Sequence, residues 1–123
     1  MIGYVTLGTN DIEKATEFYD ALFGEIGAKR IVSNDRFRMW SVVRGQPMFA
    51  VIKPYDGKEA TVGNGTMPAL LVDSKDTVEK MHTKALELGG TDEGAPGLRG
   101  GGQLFIGYFR DLEGHKLAIY AQA

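Results

Sequence analysis

The 123-residue sequence contains no cysteine. Disulfides, cysteine-ligated zinc and thiol nucleophiles are therefore excluded, and the cytoplasm is the location this reading assigns. There is no excess of one charge either. Lys and Arg number 14 and Asp and Glu 16, a net charge of −2, which argues against a nucleic-acid partner, since that calls for a basic face. No apolar run approaches the roughly 20 residues of a membrane-spanning helix. The opening "MIGYVTLGTND" has neither the charged n-region nor the small-residue cleavage site of a secretory signal. The expectation is a single domain with no membrane partner.

What the chain has in quantity is glycine, 17 residues, seven of them in 89–90 and 94–102. Apolar strand patterns resume directly after that stretch, so it reads as a loop rather than low-complexity disorder. Strand alternation runs over 2–8, with Val5 and Leu7 on one face and Tyr4 and Thr6 on the other. Asn10 then stands as an N-cap with Glu13 three residues on, a capping-box spacing. Ile12, Ala15, Phe18, Tyr19, Leu22 and Phe23 recur at helical spacing and predict a helix over 11–23, ended by Gly24 and Gly27. Strands are expected at 28–33, 36–43 and 47–53, followed by a polar linker at 54–66.

Beyond the linker the same plan recurs. A strand is expected at 67–73 and a helix at 75–88, capped by Asp73 or Ser74 and closed by Gly89 and Gly90. A short strand at 91–93, the glycine loop, and strands at 103–110 and 116–122 follow. The halves superimpose at an offset of 63 residues, which sets Leu7 on Leu70, Asn10 on Asp73, Phe18 on Met81 and Gly27 on Gly90. Neither half of about 60 residues buries a helix and a sheet alone with much margin. The expected fold is α+β: two βαβββ modules, about 1–54 and 66–123 within a single domain 1–123, forming one cupped mixed sheet with the helices on its outer face.

The segment "GYVTLGTNDIEKATEFYDALFGEIGAKR" resembles the opening module of the vicinal oxygen chelate superfamily, the glyoxalase, bleomycin-resistance and dioxygenase group. Its usual start is His-Val-x-Leu-x-Val-x-Asp, followed by a helix carrying Phe-Tyr and a Leu-Gly. Here Tyr4-Val5-Thr6-Leu7-Gly8-Thr9-Asn10-Asp11 is followed by Phe18-Tyr19 and Leu22-Phe23-Gly24. "YFRDLEGHKLAIY" resembles the closing Asp-Pro-Asp-Gly-Asn-x-Ile-Glu-Leu element, so the likeness covers essentially the whole chain. It implies a divalent metal in the cup, ligated from the first strand of each module and from a late-strand glutamate. Transferred position by position, those places hold Tyr4, Met67 and Ala118. A phenol is a poor ligand at neutral pH, a thioether is soft, and alanine has no donor. The expectation is no metal site and no cofactor. His82, on the second helix, and His115, after the turn glycine, stand away from the ligand positions.

Strand parity makes Val5, Leu7, Leu70, Val72, Leu117 and Ile119 the helix-packing set. Tyr4, Thr6, Met67, Ala69, Leu71, Lys116, Ala118 and Tyr120 then face the cup, and Tyr108 borders it. An aromatic and thioether lining with a few polar tips suits a small organic ligand; a closed core filled by Tyr4, Met67 and Tyr120 is the competing reading. In "DRFRMWS", Arg36, Arg38 and Trp40 alternate with Phe37 and Met39, and Trp40 is counted with the cup, while a core or dimer-interface place stands beside that. Arg38, Arg99 and Arg110 are candidate anion contacts. The glycine loop has neither a Gly-Lys-Ser/Thr ending nor a G-x-G-x-x-G opening a helix, so no nucleotide site is expected; a connecting loop is favoured over a lid carrying Arg99. Asp111 and Glu113 flank a turn, where Asp and Gly are expected turn formers, and are read as shaping a hairpin rather than as acid–base catalysts.

Three functions fit these residues. The first is a metal-free apolar cup that binds a small organic molecule in a cytoplasmic homodimer. The second, which the resemblance implies, is a glyoxalase I-type lyase or other small-molecule enzyme with an altered metal site, for which Tyr4, Lys116 and Arg110 are the visible base and electrophile candidates. The third is an interaction module using Trp40 and the second-half strands. No residue is assigned a catalytic role.

Overall fold

A computed structural model describes residues 1–123. The chain divides into two compact units, Met1–Gly63 and Asn64–Ala123. The order of elements is β1 (Tyr4–Gly8), α1 (Ile12–Gly24), β2 (Lys29–Ser33), β3 (Phe37–Ser41), β4 (Met48–Ile52), β5 (Ala69–Leu71), α2 (Lys75–Glu87), β6 (Thr91–Arg99), β7 (Leu104–Arg110) and β8 (Lys116–Gln122). This is α+β, with βαβββ twice. There are two four-stranded mixed sheets, ordered β1-β4-β3-β2 and β5-β8-β7-β6.

In the first unit, α1 starts one residue later than the capping-box spacing suggests. Asp11, not Asn10, is the N-cap, and its carboxylate accepts from the Lys14 amide at 3.1 Å. Asn10 instead joins the following segment: its Oδ1 accepts from the Ala60 amide at 2.7 Å and its Nδ2 donates to the Ala60 carbonyl at 3.3 Å. The apolar stripe of α1 (Ile12, Ala15, Phe18, Tyr19, Leu22, Phe23) is buried against the first sheet. Tyr19 and Phe23 meet Phe49 of β4 at ring-centroid distances of 4.8 and 5.1 Å, and each meets Trp40 of β3 at 5.8 Å. These offset and edge contacts, with Leu7 and Val51 beside them, form the core of this unit.

Ser74 caps α2, accepting from the Thr77 amide at 3.1 Å. Val78, Met81 and Ala85 of this helix are buried, as are Phe109, Leu117, Ile119 and Ala121 of the second sheet. His82 reaches from α2 to β6 and β7, where its Nε2 lies 3.0 Å from the Tyr108 carbonyl and 3.1 Å from Asp92 Oδ1. Both partners are acceptors, so Nε2 carries the proton. Gly107 makes room for this: a Cβ there would stand 3.2 Å from His82 Cδ2 and 3.0 Å from Pro96 Cγ.

The second unit differs from its expected layout at two places. The strand expected over 67–73 is only Ala69–Leu71, so Met67 precedes it. The glycine loop is largely strand: β6 runs to Arg99 and pairs with β7 through two register shifts, and Gly100, Gly101 and Gly102, all at positive φ, make the turn. At the end of β7, Asp111 Oδ1 accepts from the amides of Glu113 (3.0 Å) and His115 (2.9 Å), and the Asp111 amide donates to the His115 carbonyl at 2.9 Å. Asp111 is buried in that role. Its carboxylate organises the hairpin that joins β7 to β8.

Candidate functional site

Register assigns each strand residue to the face against the helix or to the opposite, distal face. In the first sheet Val5 pairs with Phe49, Leu7 with Val51, and Trp40 with Phe49, so these side chains share the α1 face. Trp40 and Arg38 therefore point toward the helix, not into a ligand-binding face. Trp40 is 2% exposed, and its Nε1 donates to Asp20 Oδ1 of α1 at 2.8 Å. Arg38 is buried beside it, donating to Thr16 Oγ1 (3.1 Å), Glu13 Oε1 (3.0 Å) and the Asn34 carbonyl (2.8 Å). Helix polar groups satisfy both residues, which is why they sit on that side. Arg38 is accordingly not available as an anion contact.

The distal face of the first sheet carries Tyr4, Thr6, Phe37, Met39, Met48, Ala50 and Ile52. Tyr4 and Phe37 belong to strands separated by β4 and lie toward opposite ends of the register, yet their rings meet edge to face at 6.3 Å. Thr6, Ala50 and Met39 are register neighbours between them. Tyr4 remains 54% exposed. Phe37 was not counted as a site residue from the sequence, although its alternation with Arg38 is the signal that places it here.

In the second unit Ala69 pairs with Ala118, and Ala118 with Tyr108, so these three lie side by side on the distal face. Leu71, Tyr120 and Ile106 form the next row. Ala118 is 2% exposed and Leu71 61%: the floor of small side chains is flanked by tall, accessible ones. Toward the hairpin, Lys116 and Arg110 are paired in register. The Lys116 ammonium stands 5.3 Å from the Tyr108 ring centroid, and the Arg99 guanidinium carbon 5.2 Å from it. Arg99 is held by carbonyls, donating from Nη1 to Gly97 (3.1 Å) and Ile106 (2.9 Å) and from Nη2 to Ala95 (3.0 Å). A Cβ at Gly94 would come within 3.0 Å of the Tyr108 ring and 3.3 Å of Arg99 Nη2, so glycine there admits the guanidinium. Arg110 is bound to Glu93 Oε1 through Nε and to the Gly114 carbonyl at 2.9 Å through Nη1.

Electrostatics around β6 follow from these bonds. The Gly94 amide, and after it His82, hold the Asp92 carboxyl below its ordinary value. The Arg110 guanidinium does the same for Glu93. Asp73 is lowered by the hydroxyls of Thr77 and Ser74 beside it at the start of α2.

Across all residues no three His, Cys, Asp or Glu side chains gather as a metal ion would require. The positions at which the resemblance places ligands hold an exposed phenol (Tyr4), a methionine ahead of β5 (Met67) and an alanine walled by Ala69 and Tyr108 (Ala118). That donor set does not fit a divalent metal of the family type.

The family model described as Glyoxalase/Bleomycin resistance protein/Dioxygenase superfamily matches residues 1–119. The chain belongs to this superfamily. Among solved structures, it is similar to a glyoxalase/bleomycin resistance protein from Albidiferax ferrireducens T118, at 31% identity and a TM-score of 0.91, with 100% of this chain and 99% of that one covered. It is also similar to a hypothetical protein, SA1046, from S. aureus (24% identity, TM-score 0.76, coverage 98% and 92%). A lactoylglutathione lyase from Agrobacterium tumefaciens shares 19% identity at a TM-score of 0.72, with coverage of 98% and 92%. The last two likenesses are of fold alone. No protein of curated function matches the chain. No helix is long and apolar enough to cross a membrane.

Proposed function

We propose that this superfamily member binds a small organic molecule on the distal sheet faces and does so without a metal ion. The observation that carries the reading is the surface formed by Ala69, Leu71, Tyr108 and Tyr120 around the buried Ala118: it offers apolar area and a few polar tips, and no metal donor, where the family resemblance places a glutamate. Tyr4 and Thr6 supply a similar surface on the first unit. The absence of cysteine accords with a cytoplasmic location, and the exposed Ile31 and Val32 of β2 accord with a homodimer.

Metal analysis of the purified protein, paired with a thermal-shift screen of small organic compounds, tests this. Sub-stoichiometric Zn, Ni, Mn and Fe, with at least one stabilising compound whose effect Ala118→Leu abolishes, is the expected outcome. One tightly held metal per chain together with turnover of a methylglyoxal–glutathione hemithioacetal would overturn it in favour of a lyase.

A further inference from the structure

The distal face of the second sheet carries more positive charge than its own carboxylates balance. Three cations lie there: Arg99, Arg110 and Lys116. One carboxylate, Glu93, lies among them and is engaged by Arg110. Lys116 makes no direct ion pair: it acts on Glu93 only through its field, after Arg110, which holds that carboxylate directly. Arg99 has no acidic partner either. Its three bonds to carbonyls use three of the five N–H donors a guanidinium has. This local excess stands in a chain whose net charge is −2, so general basicity does not account for it.

The placement of the two cations is also specific. Both lie against the Tyr108 ring, and Lys116 is two residues along β8 from Ala118, on the same face. The half-buried Lys116 thus places its ammonium over the Tyr108 ring at the border of the apolar surface. Arg99 is fixed by carbonyls over two glycines, Gly94 and Gly97, where any side chain would crowd it. A positive edge on a small apolar floor complements one kind of molecule: a flat apolar body ending in a carboxylate.

We propose that the ligand is a small organic acid whose apolar body lies against Ala69, Tyr108 and Tyr120, and whose carboxylate pairs with Lys116 in the positive field of Arg99. This rests on the ligand-binding reading above and adds the ligand's chemical class. Lys116 is a specificity-determining residue in it, and the short Ala118 beneath its neighbours keeps a larger side chain out of that surface.

The test uses 2-naphthoate and its neutral isostere 2-naphthamide as probes with the full chain, by calorimetry and by amide chemical-shift mapping. Naphthoate should bind about tenfold more tightly than the amide, with the largest shifts at Tyr108, Lys116 and Ala118. Lys116→Gln should weaken naphthoate about fivefold and leave naphthamide unchanged, and Lys116→Arg should retain the preference. A circular dichroism melt of each variant establishes that it is folded. Equal affinity for the two probes, or shifts confined to other residues, overturns the organic-acid proposal while leaving a neutral-ligand site standing. Inorganic phosphate competing as strongly as naphthoate would overturn the role of the apolar floor. Failure of both probes to bind at millimolar concentration overturns this proposal and counts against the ligand-binding reading beneath it.

Discussion

Asp20→Ala in the first unit should destabilise the protein by about 1.5–2.5 kcal/mol. Asp20 receives the indole N–H of Trp40 at 2.8 Å on one oxygen and Arg30 at 3.1 Å on the other. The Arg30 pair is more than a third exposed on both partners, so its loss costs no more than about 0.5 kcal/mol. The indole is a different matter. With Trp40 only 2% exposed, removing its acceptor leaves a buried donor unsatisfied, at about 1–3 kcal/mol. Partial access of water past the half-exposed Asp20 position favours the lower half of that range. In a Trp40→Phe background the same Asp20→Ala change should cost only the ion-pair share, so the coupling energy is about 1–2 kcal/mol. Urea unfolding of the wild type, both single variants and the double variant, followed by far-ultraviolet circular dichroism, measures it. Trp40 is the sole tryptophan, so fluorescence alone cannot follow the Phe variants. Coupling below about 0.3 kcal/mol would refute the helix-side place of Trp40 and return it to the distal face, as would a loss of naphthoate binding in Trp40→Phe with stability unchanged.

Two further outcomes follow from the second unit. Asp92 and Glu93 titrate below their ordinary values of 3.8 and 4.5 when folded. The folded state therefore binds fewer protons there than the unfolded chain does; their contribution is complete above those values and is lost as pH falls through the lowered ones. Urea midpoints measured from pH 7 down to pH 2.5 should decline most steeply below about pH 4, and the decline should be shallower in Asp92→Asn, whose side chain does not ionise. Asp111→Ala removes the acceptor of two hairpin amides and should cost about 1–3 kcal/mol in a denaturant titration, with Asp111→Asn recovering most of it; a neutral Asp111→Ala would show that the carboxylate does not hold the turn.

Helix positions, strand positions and the duplication were legible because their signals are local. The stripe from Ile12 to Phe23 has one periodicity, and Leu117 with Ile119 leaves Ala118 only one face to occupy. What escaped depends on partners distant in the chain. Asn10 and Asp11 are both competent caps, and the choice between them turns on Asn10 being engaged by Ala60, fifty residues away. Alternation in 37–41 shows that Arg38 and Trp40 share a face but not which one. Glu13, Thr16 and Asp20, polar residues on the flank of a helix read mainly for its apolar stripe, decide it. The glycines of 94–99 signal a loop by composition, yet pairing with β7 and the carbonyl grip of Arg99 draw them into a strand. Lys116 was visible as a distal-face residue. Its setting was not, because three cations around the single carboxylate Glu93 come together only when β6, β7 and β8 pair.

The same bulged strand has a consequence for how the protein meets its own kind. β6 is the outer strand of its sheet, paired with β7 on one side. Its outer rim is poorly suited to receive another strand, since Pro96 brings no N–H and two register shifts break the even spacing of the remaining amides and carbonyls. A chain as rich in glycine as this one is thereby given an edge that resists strand-to-strand growth. In concentrated solution, self-association propagating along β6 is the route this arrangement obstructs.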